Sequence, residues 1–162
     1  KELVVENIIY EKKNTLGKIR YNDNNYHTSR VIRFYTEKNI SKNKAEKELK
    51  KIYKKIKKNK KYEISLKDAV FFEALKSDSF TISKEIDYEE IKKNNLPPIE
   101  LLNLAKNNEI GLLLLRIVEL IGEDEILDLD IQTIYFINHL FIKSGLTKFR
   151  NKILFTVLPE RS

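Results

Sequence analysis

The chain contains no cysteine, methionine or tryptophan, and only four glycines and three prolines among its 162 residues. The absence of cysteine excludes a disulfide scaffold, a thiolate nucleophile and a cysteine-built zinc site, and leaves the compartment open. Because methionine is absent, the sequence does not begin at a translational start, and we expect it to be the C-terminal part of a larger protein. Since glycine and proline are scarce, tight β-turns have few places to form, and helices joined by short polar links are favoured.

Basic and acidic side chains are distributed unevenly along the chain, which has a net charge of +7. Residues 1–67 carry 20 basic and 8 acidic side chains, whereas residues 68–162 carry 11 and 16. This division predicts a basic N-terminal subdomain, 1–67, and a helical-hairpin subdomain, 68–162, which together form one cooperative domain. Lysine, isoleucine and asparagine, whose codons are richest in A and T, supply 61 residues. An AT-rich genome would therefore account for part of the lysine excess.

Apolar residues at helical spacing predict four helices in two hairpins in the C-terminal subdomain. Pro97 and Pro98 precede the first hairpin, Gly122 ends its second helix, and Gly145 separates the two helices of the second hairpin. The hairpins align weakly at an offset of 37 residues, as the units of a helical solenoid do. The fold predicted for the chain is therefore all-α, with helical hairpins stacked as a solenoid or as an irregular bundle.

The helix predicted for Ile110–Ile121 is apolar on nearly every side. A helix that is apolar all round is typical of a protein core, so we expect it to be buried. Its two charged residues, Arg116 and Glu119, are three positions apart and face one another. A buried structural ion pair is the first interpretation, and a polar floor to a groove is the alternative.

The N-terminal subdomain is harder to interpret. An apolar stripe at helical spacing predicts an amphipathic, lysine-rich helix over residues 41–60. Ser65 and Asp68 have the spacing of a capping box before a short, largely buried helix. Ser29 is a candidate cap for a helix over residues 30–37, and residues 18–27 fit a small β-hairpin near the N-terminus.

Two basic surfaces are candidate binding sites for a partner or for nucleic acid. In the first, arginines and aromatic residues alternate, a combination that suits single-stranded nucleic acid or a carboxylate-bearing partner. The second is the charged face of the lysine-rich helix, which suits phosphates. The first interpretation of the arginine–aromatic cluster is nevertheless ordinary ion pairs and core packing, and that of the lysine face is a solvated helix surface. The candidate residues are Lys18, Arg20, Arg30, Arg33, Tyr35, Lys47, Lys50, Lys54 and Lys58.

Enzyme, cofactor and metal signatures are absent from the sequence. The four glycines are isolated, so no phosphate-cradling loop exists, and His27 and His139 are far apart in the chain. His139 is interpreted as a hydrogen-bonded histidine in the interior or at its boundary, and not as a catalytic base. Residues 123–130 contain five carboxylates but lack the calcium-loop spacing, and Asp128 or Asp130 is expected to cap the following helix.

These observations favour a non-enzymatic protein–protein interaction or scaffold domain without a cofactor or metal. The expected partner is a protein with an acidic surface, or another copy of the chain through its acidic C-terminal half. Nucleic-acid binding through the basic half is the alternative. The longest apolar stretch has twelve residues, which is too short to span a membrane.

Overall fold

The described residues of this computed structural model, 30–36 and 40–157, form a helical bundle that contains no strand. The predicted all-α fold is therefore confirmed, whereas the predicted β-hairpin at residues 18–27 lies outside the described residues. In chain order the helices are α1 (Arg30–Thr36), α2 (Lys42–Lys58), α3 (Leu66–Ser77), α4 (Glu89–Asn94), α5 (Ile99–Lys106), α6 (Ile110–Ile121), α7 (Ile131–Lys143) and α8 (Thr147–Val157).

The chain divides into two compact units. Of the described residues, the first unit takes those up to Tyr62, with 126–128 and 154–157, and the second takes 63–125 and 129–153. The boundary therefore passes through α8. The predicted division at residue 67, and the prediction that both parts unfold cooperatively, stay predictions.

The first unit is built around α1 and α2, which pack against each other. The apolar stripe predicted from the sequence faces inward on α2, where Ala45, Leu49 and Ile52 are at most 2% exposed. Val31 and Ile32 of α1 are fully buried. Burial of these aliphatic side chains is what holds a lysine-rich helix in place, because the remaining faces of α2 contribute little packing.

The second unit is built around α3 and α7. Every residue of α3 from 68 to 75 is buried, as the sequence predicts for this short helix. Helix α5 packs against both α6 and α7, and α4 contacts α3. The fully buried large apolar side chains at the centre of this unit are Phe71, Phe72, Leu75, Leu113, Ile134, Tyr135, Ile137 and Leu140.

Side-chain caps fix the first turns of the two central helices. The predicted capping box of α3 is present, because Ser65 Oγ accepts from the Asp68 amide and the Asp68 carboxylate accepts from the Ser65 amide. Asp130 caps α7 by accepting from the amides of Gln132 and Thr133. The Thr133 hydroxyl also donates to Asp130, and this hydrogen bond is the main reason that the Asp130 pKa is lowered. Both caps satisfy amides that the helix leaves without a partner.

Three helices end in a Schellman motif, in which the amides after the helix return to carbonyls of its last turn. At the end of α3 the Phe80 amide donates to Leu75 and the Ser79 amide donates to Lys76. The same pair of bonds ends α5 and α7. Each motif has one residue with positive φ: Ser79 after α3, at 64°, Asn108 after α5, at 58°, and Gly145 after α7, at 69°.

No helix in the described ranges is both long and apolar enough to span a membrane.

Candidate functional site

The arginine–aromatic cluster predicted from the sequence lies largely outside the part of the chain that the structure describes. Lys18 and Arg20 precede it. Arg30 and Arg33 belong to α1, but only their backbone is described. Tyr35 is 7% exposed and its ring packs edge-on to Phe34, with 5.4 Å between ring centroids. This ring therefore belongs to the core of the first unit and contributes little surface to a partner.

The four lysines predicted on the outer face of α2 are exposed. Lys47, Lys50, Lys54 and Lys58 follow a helical spacing, so they form one row about 16 Å long at 1.5 Å per residue. None of them forms an ion pair with another described residue, whereas the neighbouring Lys51 contacts Glu48 at 3.0 Å. The row is thus an uncompensated positive surface of the kind that phosphates neutralise.

Helix α6 differs from its prediction. Only Leu113 and Ile117 on this helix are buried. The predicted ion pair forms, with 2.7 Å between Arg116 Nη1 and Glu119 Oε2, but the two side chains are 55% and 53% exposed and not buried. The hydrogen bond with Glu119 is the main reason that the pKa of Arg116 is raised, and the nearby Glu100 carboxylate adds to it.

The burial prediction for α6 is wrong because composition does not reveal how many neighbours a helix has. Helix α5 packs against α6, and the two buried residues of α6 share one side of the helix because they are four positions apart. The opposite side, which we call the α6 apolar face, keeps its aliphatic side chains in solvent. Its residues are Leu112, Leu115 and Val118, which are 43%, 54% and 61% exposed. Leu120 is 43% exposed but lies on the same side of the helix as Leu113 and Ile117, so it does not belong to this face.

The segment that carries the α6 apolar face is acidic. Residues 96–125 contain six carboxylates and two basic side chains. One of those two is Arg116, which is already paired with Glu119. An exposed apolar surface on a segment with an excess of one sign of charge suits a partner of opposite charge.

A second feature, which the sequence analysis missed, is a buried cluster of ionisable side chains between α3 and α7. His139 Nδ1 lies 3.2 Å from Glu73 Oε2, and both side chains are less than 10% exposed. Tyr88 and Tyr135 adjoin the same carboxylate. The sequence identified His139 as an interior residue, which is confirmed, but nothing in it connects two residues 66 positions apart.

The tyrosines of this cluster are strongly perturbed. Burial, and then the Glu73 and Glu89 carboxylates, raise the pKa of Tyr88 to about 12. Burial is also the main reason that the pKa of Tyr135 lies far above its usual range, with the charge of Glu73 second. The Tyr135 hydroxyl is enclosed and makes no hydrogen bond of good geometry with the described residues. Negative charge and low hydration thus hold both phenols in their neutral form.

The cluster opens into a groove of about 270 Å³ in the second unit. Glu73, Tyr88 and His139 line it, and three lysines surround them: Lys76, Lys92 and Lys143. Perturbed ionisable groups in a concave site are a common mark of a binding or catalytic centre, although buried structural networks produce the same perturbation.

Comparisons of the chain with protein-family models, with curated protein sequences and with solved structures found no match. The described residues offer two candidate binding surfaces, the α6 apolar face and the lysine row of α2, and one groove, beside His139.

Proposed function

We propose that the chain is a non-enzymatic protein–protein interaction domain and that the α6 apolar face is its docking surface. The observation that carries this proposal is the exposure of three aliphatic side chains, Leu112, Leu115 and Val118, on one face of one helix. Aliphatic surface left in water costs about 25 cal/mol for each Å², and a partner that covers it recovers that free energy. Scattered apolar residues need no explanation, but Leu112, Leu115 and Val118 are neighbours on the helix surface because they are three positions apart.

The partner that fits this surface is a basic amphipathic helix. A helix lying along α6 would place its own apolar stripe on Leu112, Leu115 and Val118, as in helix-in-groove recognition. Lysines or arginines beside that stripe would meet the six carboxylates of residues 96–125. A second copy of the chain would instead bring the same acidic segment against itself, which is unfavourable.

The proposal is tested with a peptide that has this chemistry. The sequence Lys42–Lys58 of the chain carries nine lysines and an apolar stripe, and it is accessible as a free peptide because it is then not packed in the first unit. We expect the labelled peptide to bind the whole chain in a fluorescence anisotropy titration. The control peptide carries Leu49→Gln and Ile52→Gln, which keep the charge and remove the stripe, and it should not bind.

Variants of the chain locate the binding surface. Leu115→Gln with Val118→Gln should weaken binding of the peptide at least tenfold, while leaving the circular dichroism spectrum unchanged because both side chains are exposed. Phe155→Gln, which changes an exposed apolar residue of α8, is the matched control and should bind as the wild type does. Equal binding by all three proteins would refute the proposal, as would no binding by the wild type.

Sedimentation velocity of the wild type tests whether a second copy of the chain binds the α6 apolar face instead. A monomer is expected at the concentrations of the titration. A dimer that Leu115→Gln and Val118→Gln dissociate would assign the α6 apolar face to a second copy of the chain and overturn the partner proposed here.

Nucleic-acid binding through the lysine row is a second candidate, supported by the exposure of Lys47, Lys50, Lys54 and Lys58. The logarithm of the affinity should then fall linearly with the logarithm of the salt concentration, with a slope of about −0.9 for each neutralised phosphate of duplex. Gel-shift titrations at two salt concentrations measure this slope. Lys47→Glu with Lys54→Glu should abolish the shift, and no shift of single or double strands at low salt would exclude this function.

A further inference from the structure

The groove beside His139 has a floor and a rim of different character. Its floor consists of buried side chains, since Glu73, Tyr88 and His139 are 8%, 6% and 4% exposed. Its rim carries Lys76 and Lys143, which are exposed, and Lys92, whose side chain is 33% exposed. A cavity of about 270 Å³ is close to the lower limit of small-molecule sites.

The orientation of His139 leaves one ring nitrogen available to a ligand. A carboxylate only accepts hydrogen bonds, so Nδ1 carries the proton that faces Glu73. Nε2 makes no hydrogen bond within the described part of the chain, and it is not among the enclosed polar atoms there. Because the ring lines the groove, Nε2 is the atom of His139 that a bound molecule would meet.

The groove has an excess of positive charge. Three lysines face the single carboxylate of Glu73, which already has His139 as its partner. Lys92 is partly neutralised by Glu89, at 3.8 Å, whereas Lys76 and Lys143 have no ion pair with a described residue. An ammonium on a flexible stem binds a phosphate as a point charge.

We propose that this groove binds a small phosphate monoester. The ammonium groups of Lys76, Lys92 and Lys143 hold the phosphate as its monoanion, and the remaining P–OH donates a hydrogen bond to His139 Nε2, which is an acceptor because Nδ1 carries the ring proton. The organic part lies against the apolar side chain of Ile142 and the ring of Tyr88, which is stacked on Phe72 with 6.2 Å between centroids. This site is independent of the α6 apolar face and goes beyond the function proposed above.

The probes are phenyl phosphate, inorganic phosphate and phenol, each titrated into the full chain by isothermal titration calorimetry. Phenyl phosphate is expected to bind at least tenfold more tightly than inorganic phosphate, because only the monoester also contacts the apolar wall, and phenol is expected not to bind. In NMR spectra, phenyl phosphate should shift the ring protons of His139 more than those of His27. Equal affinity for phenyl phosphate and inorganic phosphate would overturn the assignment to a monoester.

Two lysine variants test the rim without disturbing the buried floor. Lys76→Gln with Lys143→Gln should weaken the binding of phenyl phosphate at least tenfold, because two of the three ammonium groups of the rim are lost. The fold should be unchanged, because both side chains are exposed. Lys106→Gln with Lys148→Gln removes two exposed lysines that do not line the groove, so it is the charge-matched control and should bind normally. Equal loss in both variants would show non-specific attraction to a basic chain and refute the site, as would no binding by the wild type.

Discussion

The ion pair between Arg150 and Asp78 leads to an asymmetric prediction about stability. Arg150 is 1% exposed and is the largest fully buried side chain of the described residues. Its Nη2 donates to both carboxylate oxygens of Asp78, at 2.6 and 2.7 Å, and Asn151 Oδ1 accepts from Nε and Nη2. The Asp78 side chain is 15% exposed, so the aspartate retains access to water and the arginine does not.

Removing Asp78 should therefore lower the free energy of unfolding more than removing Arg150. Asp78→Ala leaves a buried guanidinium without its counter-charge and should lower the free energy of unfolding by about 3–5 kcal/mol. Arg150→Met keeps an apolar stem of similar length and leaves a carboxylate that water can reach. We expect this variant to lose about 1–2 kcal/mol, because part of the lost interaction is replaced by packing.

A double-mutant cycle measured by urea denaturation decides between this account and simple additivity. Adding Asp78→Ala to Arg150→Met should cost less than about 1 kcal/mol, since no buried charge remains to be neutralised. The conservative control Asp78→Asn keeps one acceptor oxygen and should fall between the wild type and Asp78→Ala. If Asp78→Ala alone cost less than about 1 kcal/mol, or if the two changes added, Arg150 would not depend on Asp78 and the reasoning would be refuted.

Three further predictions concern helix ends and the buried phenol. Ser79→Gly should raise the free energy of unfolding by about 1 kcal/mol, because a serine at φ of 64° is strained and glycine is not. Asn108→Gly should raise it by less, because asparagine tolerates positive φ better than serine. A lower free energy of unfolding for Ser79→Gly in urea denaturation would contradict this prediction. Ser65→Ala should cost about 1 kcal/mol in the same assay by removing the α3 cap, and no cost would show that the cap is dispensable. The Tyr88 pKa is raised from its usual 10 to about 12 in the folded state. The contribution of the neutral phenol to the free energy of unfolding is therefore complete below pH 10 and is lost as the pH rises to 12. Between pH 9 and 11 the wild type should lose about 1 kcal/mol more than Tyr88→Phe, and equal losses would exclude the raised pKa.

Helix positions and caps were accessible from the sequence because their signals are local. The bounds predicted for α6 match the structure, Gly122 is its C-cap, and Asp130 caps α7. The end of α7 at Gly145 is also signalled locally, because glycine adopts positive φ without strain. Ser79 plays the same part at the end of α3 but is not a residue type that signals it, so that end could not be predicted.

Burial and the ionisable cluster were not accessible because they depend on distant partners. The apolar residues of α6 predict a buried helix only if neighbours cover every side, and α5 covers one of them. The contact between Glu73 and His139 requires α3 to lie along α7, which no local pattern specifies. The α6 apolar face and the groove beside His139 are therefore both consequences of tertiary packing.

The polar side chains inside the second unit also fix how its two central helices are aligned. Asn138 Nδ2 donates to the Val70 carbonyl at 3.4 Å, and the next residue, His139, faces Glu73. If α7 slid along α3 by one helical turn, about 5.4 Å, both contacts would be broken and the buried polar groups would lose these partners. The two contacts therefore favour one register of the helix pair, in addition to the shape of the apolar side chains packed around them.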